Sequence, residues 1–436
     1  MGAAVKPPLL TLCAVIELSR LRSQPEQIIQ ALAKKGLDAA PLVEQLLAYD
    51  AERRSLQKTI DDTRARLNDL SKAIGQAMRD KDTARAEALR TESHSIKESL
   101  PTYEAQMREI EAKMEEILVR LPNPPHESVP EGRSAADNVV VHTGPIPPAS
   151  PEGRLPHWEL AEKRGFIDFA RGAKVTGSGF PFYVGAGAKL QRALIQFFLD
   201  EAEKAGYTEM EPPFLVNTDT AFGTGQLPDK DAQMYYVPLD ELYLIPTAEV
   251  PLTNFYRDEI LEESQLPIKI CGYSPCFRRE AGSYGKDVRG LNRLHQFDKV
   301  EIVQITLPEK SYEALEEMRL YVQSLVEKLE LAYRVVLLCG GDMSFASAKT
   351  YDVEVWSPAQ QRWLEVSSIS NFETFQSNRM KLRYRRGKQT ALLHTLNGSA
   401  LALPRIVAGI LETHQLPDGR IRIPAALQPY LKAEYL

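Results

Sequence analysis

Residues 277–301 read FRREAGSYGKDVRGLNRLHQFDKVE. Phe277-Arg278-Arg279-Glu280 closes one strand-like run, and His295-Gln296-Phe297-Asp298-Lys299-Val300-Glu301 opens another. Between them lies a glycine-punctuated loop carrying Lys286, Arg289 and Arg293. The spacing predicts a hairpin that pairs Ile268–Phe277 with Phe297–Ile305. Cations on a strand end beside such a loop suit phosphate oxygens, because guanidinium forks match them. The same residues also suit a solvated surface loop, and spacing alone leaves both readings open.

Working outward, Tyr351–Trp356 and Trp363–Ser368 form a second predicted hairpin. Leu242–Ile245 and Arg334–Cys339 read as further strands, and Lys189–Lys204, Tyr312–Leu329 and Ala400–Glu412 as helices. Short strands in hairpins with intervening helices predict an α+β domain on an antiparallel sheet. No glycine-rich turn of the dinucleotide or P-loop kind occurs, which argues against those nucleotide folds. Asn397-Gly-Ser-Ala-Leu-Ala-Leu-Pro-Arg405 runs from a strand into a helix, with Arg405 placed either to meet an anion or to sit exposed. Thr247-Ala248-Glu249 follows a strand and a proline, so Glu249 suits a helix N-terminus. Glu365 either binds magnesium or faces water.

The first third has a different period. Leu42, Leu46, Tyr49, Arg53, Leu56, Ile60, Thr63, Leu67, Leu70 and Ile74 follow alternating steps of four and three. So do Leu89, Ser93, Ile96, Leu100, Tyr103, Met107, Ile110, Met114, Ile117 and Leu121. Two heptad runs joined by the polar stretch 75–83 predict an antiparallel helical hairpin, a coiled coil. Pro101 predicts a kink or a restart in the second helix. Pro25–Gly36 predicts a short helix closed by glycine, and Leu121-Pro-Asn-Pro-Pro stops the hairpin. The expected organisation is an N-terminal domain over 1–121 with a long arm over about 38–121, a linker over 122–150, and a second domain over 151–436.

The net charge of −6 gives no global sign of nucleic-acid binding, so any such contact must be local. Arg53–Arg90 holds ten Lys/Arg against six Asp/Glu, whereas Thr91–Leu121 holds four against seven. Positive charge thus gathers toward the arm's tip, which suits a phosphate backbone or an ordinary solvated coiled coil. Cys13, Cys271, Cys276 and Cys339 form no CxxC pair and read as free thiols in a reducing compartment. Leu9–Ile16 is apolar but lacks a cleavage site, and no run of about 20 apolar residues exists. A cytoplasmic protein without a membrane span is expected.

Together these segments resemble the bacterial-type seryl-tRNA synthetases over nearly the whole chain. Residues 277–301 look like the class II motif 2 strand-loop-strand, and LNGSALALPR (396–405) looks like motif 3. The stretch around Pro212-Pro213 sits at the motif 1 position. IPTAEVPLTN (245–254) is similar to the serine-pocket segment. The runs 341–356 and 365–372 also match, and the heptad hairpin resembles the tRNA-binding arm.

The resemblance implies a class II catalytic sheet that activates L-serine with ATP and Mg²⁺. Serine then passes to tRNA(Ser), and also to tRNA(Sec) where that tRNA exists, on a homodimer. Arg278 and Arg405 would be the catalytic cations, Arg278 on the α-phosphate and serine carboxylate and Arg405 on the γ-phosphate. ATP would also meet Arg279, Glu280, Leu294, Phe297, Glu365, Val366, Ser367 and Ser368, with Glu365 and Ser368 holding the metal. Serine would meet Thr247, Ala248, Glu249, Arg278, Glu301, Asn397 and Ser399. Arg53, Arg54, Lys58, Arg64, Arg66 and Lys72 would meet tRNA.

Two alternatives fit less of the chain. A related ligase loading another carrier would lack the arm. A non-catalytic RNA-binding scaffold would have lost Arg278, Glu365 or Arg405, all of which are present. The apolar start, Pro101, and the bulky Ala400, Leu403 and Pro404 depart from the family pattern.

Overall fold

A computed structural model describes residues 16–145, 154–229, 232–281 and 288–436. Cys13, Lys286, most of the apolar opening and part of the proline-rich linker lie outside them. The described residues divide into two compact units. One holds those up to Ala33 together with Leu37–Pro122, and the other holds Lys34–Gly36 and Asn123–Leu436.

In the first unit, helices α1 (Leu18–Ser23) and α2 (Pro25–Ala33) precede a long hairpin. Its helices are α3 (Ala40–Arg79) and α4 (Thr83–Leu118). Forty residues at 1.5 Å each make α3 about 60 Å long. The two heptad stripes face each other. Leu46, Ile60 and Leu70 are buried on α3, and Met107, Ile110, Met114 and Ile117 on α4.

One expectation needs correcting, and one of the two alternatives at Pro101 falls. The connection predicted over 75–83 is only the turn Asp80–Asp82, with Lys81 at φ 55°. Gly75 is carried inside α3 because the seam on either side of it is intact, and Asp82 caps α4 by accepting from the Arg85 N–H at 3.0 Å. At Pro101 the helix does not restart: α4 runs through it, with the proline on the exposed side. The missing N–H therefore faces water, while the packed stripe continues on the opposite side.

The second unit is built on an eight-stranded sheet. In chain order its strands are β1 (Val139–Thr143), β2 (Thr208–Glu209), β3 (Ile268–Phe277), β4 (Gln296–Thr306), β5 (Tyr333–Leu337), β6 (Lys349–Ser357), β7 (Arg362–Asn371) and β8 (His394–Ala402). Across the sheet they run β1-β5-β6-β7-β8-β4-β3-β2. Every pairing is antiparallel except the short β2 on β3. Both predicted hairpins are present, with Phe297 opposite Cys276 and Val353 opposite Ser367.

Helices α5 (His157–Arg164), α6 (Ala186–Lys204), α7 (Glu249–Asn254), α8 (Ser311–Lys328), α9 (Phe375–Arg379) and α10 (Leu403–Thr413) accompany the sheet. One apolar core joins the inner stripes of α6, α8 and α10 to Val300, Ile302, Val353, Val366, Ile369 and Leu396. The predicted 400–412 helix starts three residues late because 400–402 complete β8 and Pro404 fits the first helical turn. Alternation along β4 sends Val300 and Ile302 to that core and Lys299 and Glu301 to the opposite face, where the polar cluster forms. Among the described residues no helix is long and apolar enough to cross a membrane.

Candidate active site

The polar face of β4 and β8 carries a buried charge cluster. Glu301 is fully buried and lies opposite Ser399 in the β4–β8 ladder. Its carboxylate accepts from Thr247 Oγ1 at 2.8 Å and Asn397 Nδ2 at 3.0 Å, and pairs with Lys299. Lys299 Nζ also donates to Thr247 Oγ1 at 2.9 Å. Glu249 opens α7, as expected, and accepts from Gln376 Nε2 at 2.7 Å. Gln376 on α9 is itself fixed by Thr395 Oγ1 at 2.7 Å. Ala248 packs behind with Leu252, Ile270 and Val303, so its side chain is core. Ser399 offers its carbonyl to the Ser367 hydroxyl.

Burial first, and the neighbouring Glu301 carboxylate second, push the Glu249 carboxyl up to about 7. That folded value lies above the ordinary 4.5 of a glutamate. Its ionisation therefore costs stability as pH rises from about 4.5 through about 7, and the cost then levels off. Glu249→Gln keeps the Gln376 contact without that charge. The variant should out-melt the parent at about pH 8, with the gap shrinking toward about pH 5. An equal difference in melting midpoint at both pH values would refute this account of Glu249.

Arg278 sits at the end of β3, half-buried. Its Nε donates to the Pro246 carbonyl at 3.3 Å, and its guanidinium lies 5.2 Å from the Phe297 ring centroid. The site face of Thr247–Glu249 and this cation are therefore joined through one proline. Arg279 stacks over Tyr235 at 5.7 Å, and Glu280, at φ 49°, pairs with Arg293 at 3.0 Å. Leu294 and Val366 point into the main core, leaving only their backbones for a ligand.

Arg405, on the first turn of α10, donates from Nε to the Asn292 carbonyl at 3.1 Å and from Nη1 to the Glu365 carbonyl at 2.7 Å. The Glu365 carboxylate is 3.6 Å away and nearly half exposed. Across the β6–β7 ladder, Asp352 faces Ser368. Burial, then the charge of Glu365, hold the Asp352 carboxyl well above its usual range, and its Oδ1 is buried without a hydrogen-bond partner.

Among the described residues no three His, Cys, Asp or Glu side chains converge as a metal cage. Mg²⁺ needs none: it keeps several waters and takes one or two carboxylates plus substrate phosphates. An orphaned carboxylate oxygen beside Glu365 and Ser368 is an all-oxygen donor set that fits it. Burial pushes the Cys271 thiol up to about 12 and raises Cys276 as well, so neither is poised as a nucleophile.

Sequence reasoning missed Lys299, Asp352 and Gln376. Lys299 had a signal, since it shares a strand face with Glu301 two residues on. Asp352 had the same kind of signal in the alternating run Thr350–Trp356. Gln376 had none, because it reaches Glu249 across 127 residues.

On the arm, Arg64 pairs with Glu104 at 2.9 Å, Arg66 with Glu92 at 2.6 Å and Lys72 with Asp69 at 3.7 Å, all exposed. Lys58 is exposed too. Arg53 and Arg54 instead lie at the base of the hairpin. With Arg22 they surround Asp50, which is fully buried.

An antiparallel sheet presenting arginines from a strand-loop-strand and from a following helix defines a class II synthetase core. Residues 237–414 match the family model described as tRNA synthetase class II core domain (G, H, P, S and T). Residues 15–125 match the seryl-tRNA synthetase N-terminal domain. A serine–tRNA ligase from Salinibacter ruber is 52% identical over 95% of this chain and 98% of its own length. One from Methylacidiphilum infernorum is 49% identical over 97% and 100%. The crystal structure of seryl-tRNA synthetase from Pyrococcus horikoshii complexed with ATP superimposes with a TM-score of 0.90 at 35% identity, covering 96% of this chain and 99% of that one. The chain belongs to the seryl-tRNA synthetase family.

Proposed function

We infer that the chain activates L-serine with ATP, forming seryl-adenylate and pyrophosphate, and then transfers serine to tRNA(Ser), with tRNA(Sec) as a further acceptor. The observation that carries this reading is the buried cluster Thr247–Glu249–Glu301–Asn397 adjoining Arg278. It is a small polar cluster whose acceptors suit an ammonium and a hydroxyl, next to a cation for a phosphate. The reaction joins a carboxylate to an anionic phosphate, so the protein mainly orients the reactants and offsets charge.

In this reading Glu249 and Glu301 take the ammonium and hydroxyl of serine, with Thr247, Asn397 and the edge of Ser399 completing the pocket. Arg278 bridges the serine carboxylate and the α-phosphate as the carboxylate attacks phosphorus and pyrophosphate leaves. Arg279, Glu280 and Phe297 flank the adenine, the backbones at Leu294, Val366 and Ser367 line the nucleotide, and Arg405 holds the γ-phosphate. Glu365 and Ser368, with Asp352, would hold Mg²⁺, which supplies charge neutralisation on the phosphates. The terminal ribose hydroxyl of tRNA then attacks the adenylate carbonyl and AMP leaves. The family likeness supports a cytoplasmic homodimer in which one subunit's arm serves the partner's active site.

The arm assignment has a direct test. Exposed ion pairs such as Arg64–Glu104 contribute under about 1 kcal/mol, so exchanging them for RNA phosphates costs little. Arg64→Glu with Arg66→Glu should lower charging of a tRNA(Ser) transcript by roughly tenfold or more, and flatten its salt dependence, because about one counterion per lost phosphate contact is no longer released. Pyrophosphate exchange with serine should be unchanged. Unaltered charging would remove these arginines from the tRNA surface.

A further inference from the structure

His157 is completely buried at the first position of α5 and belongs to none of the groups assigned above. Its Nδ1 meets Glu412 Oε1 at 2.8 Å, and its Nε2 meets the Leu291 N–H at 2.8 Å. Burial would raise the Glu412 carboxyl, but hydrogen bonds from His157 and Ser357 hold it below its usual range, so it accepts. A backbone N–H can only donate. The two partners therefore fix one neutral tautomer, with the proton on Nδ1 and the lone pair of Nε2 facing Leu291.

The contact closes a ring. Asn292 follows Leu291 and donates from Nδ2 to Gln360 Oε1 at 2.9 Å, and Gln360 Nε2 returns to Glu412 Oε1 at 3.2 Å. Ser357 and the Ala359 N–H hold the other Glu412 oxygen. Gly290 passes so close that a Cβ there would lie 2.4 Å from His157 Nε2, and Arg289 stacks over Trp158 at 4.9 Å. Two consecutive residues of α5 thus grip the returning end of the 277–301 loop. That end supplies the Asn292 carbonyl to which Arg405 Nε is bonded.

We propose that His157 is a positioning residue for nucleotide binding: oriented by Glu412, it pins Leu291–Asn292 and thereby aims the Arg405 guanidinium. The proposal rests on the reading of Arg405 as a phosphate ligand. A ring that holds a backbone amide and a carboxylate in one geometry acts on the placement of Leu291–Asn292 and Arg405, whereas Glu249 and Glu301 of the serine pocket are held by Gln376, Thr247, Asn397 and Lys299.

The test is ATP–pyrophosphate exchange by the full-length chain, with ATP and serine titrated separately in His157→Phe, His157→Gln and Arg405→Ala. Misplacing a binding cation by a fraction of an ångström should raise the ATP KM of H157F about tenfold, with the serine KM within about twofold of the parent. Gln can donate to Glu412 and accept from Leu291, so H157Q should stay within about threefold of the parent. An unshifted ATP KM in H157F alongside a raised one in R405A overturns the proposal alone. So does an equal rise in both KM values, or an H157Q as impaired as H157F. An unshifted ATP KM in R405A overturns the Arg405 reading itself. If H157F does not fold, the half-buried Gln360→Ala cuts the same ring. It should raise the ATP KM about threefold with the serine KM unmoved, and no shift there also overturns the proposal.

Discussion

Arg278→Ala should lower kcat/KM for serine-dependent ATP–pyrophosphate exchange roughly 10³-fold, the scale seen when a donor aimed at developing charge is removed. The side chain touches little that holds the fold. Its Nε bonds one carbonyl at 3.3 Å, and its guanidinium lies 5.2 Å from the Phe297 ring centroid. The melting midpoint should therefore fall by no more than a loss of about 1 kcal/mol implies. Arg278→Lys should recover little, because a point ammonium does not reproduce a two-oxygen grip. Exchange activity within tenfold of the parent in R278A would remove the residue from the reacting centre.

Glu301→Ala should have two separable effects. Lys299 is nearly fully buried beside it, and deleting the carboxylate leaves that ammonium with only the Thr247 hydroxyl. Breaking a buried pair by removing one partner costs about 3–5 kcal/mol. The second effect is on serine. The pocket loses an acceptor that also orients Thr247 and Asn397, and losing such charge-assisted bonds should lower kcat/KM for serine by roughly 10²-fold. Adding Lys299→Met to Glu301→Ala removes the stranded charge, so the double variant should regain most of the stability and none of the serine activity. Thermal unfolding and serine titration of the two variants measure this. If stability and activity return together, Glu301 is a structural group and the pocket lies elsewhere.

These two sites differ in how far the sequence revealed them. Arg278 and Glu301 stand in one local pattern: a strand ending in cations, a glycine-marked loop, and a returning strand whose alternate residues are polar. Period and spacing within 25 residues give the strand-loop-strand, and the family resemblance, not the spacing, assigns its roles. The heptad arm was legible for the same reason, since its contacts repeat every three or four residues. Asp50 was not, because it lies off the heptad stripe and one of its three arginines, Arg22, comes from α1.

Contacts that bridge distant segments were illegible for a general reason. His157 and Glu412 are separated by 255 residues, and Gln376 and Glu249 by 127. Each residue alone looks like an ordinary member of a short helix, and only the packing of that helix against the sheet gives it a partner. The turn at Asp80–Asp82 shows the converse limit. Polar composition over 75–83 suggested a loop, yet a helix with a packed stripe on both sides carries a glycine at a cost of about 1 kcal/mol.

The most direct measurement is amino-acid-dependent ATP–pyrophosphate exchange by the purified chain with serine, alanine, glycine and threonine. The account predicts exchange with serine and at least about 100-fold less with alanine and glycine, which keep the ammonium but lack the hydroxyl and so leave its acceptor in the Glu249–Glu301 cluster unpaired. Threonine, which keeps the hydroxyl, should be held back by the extra methyl group alone. Exchange with alanine or glycine as efficient as with serine would contradict the pocket formed by Thr247, Glu249, Glu301 and Asn397.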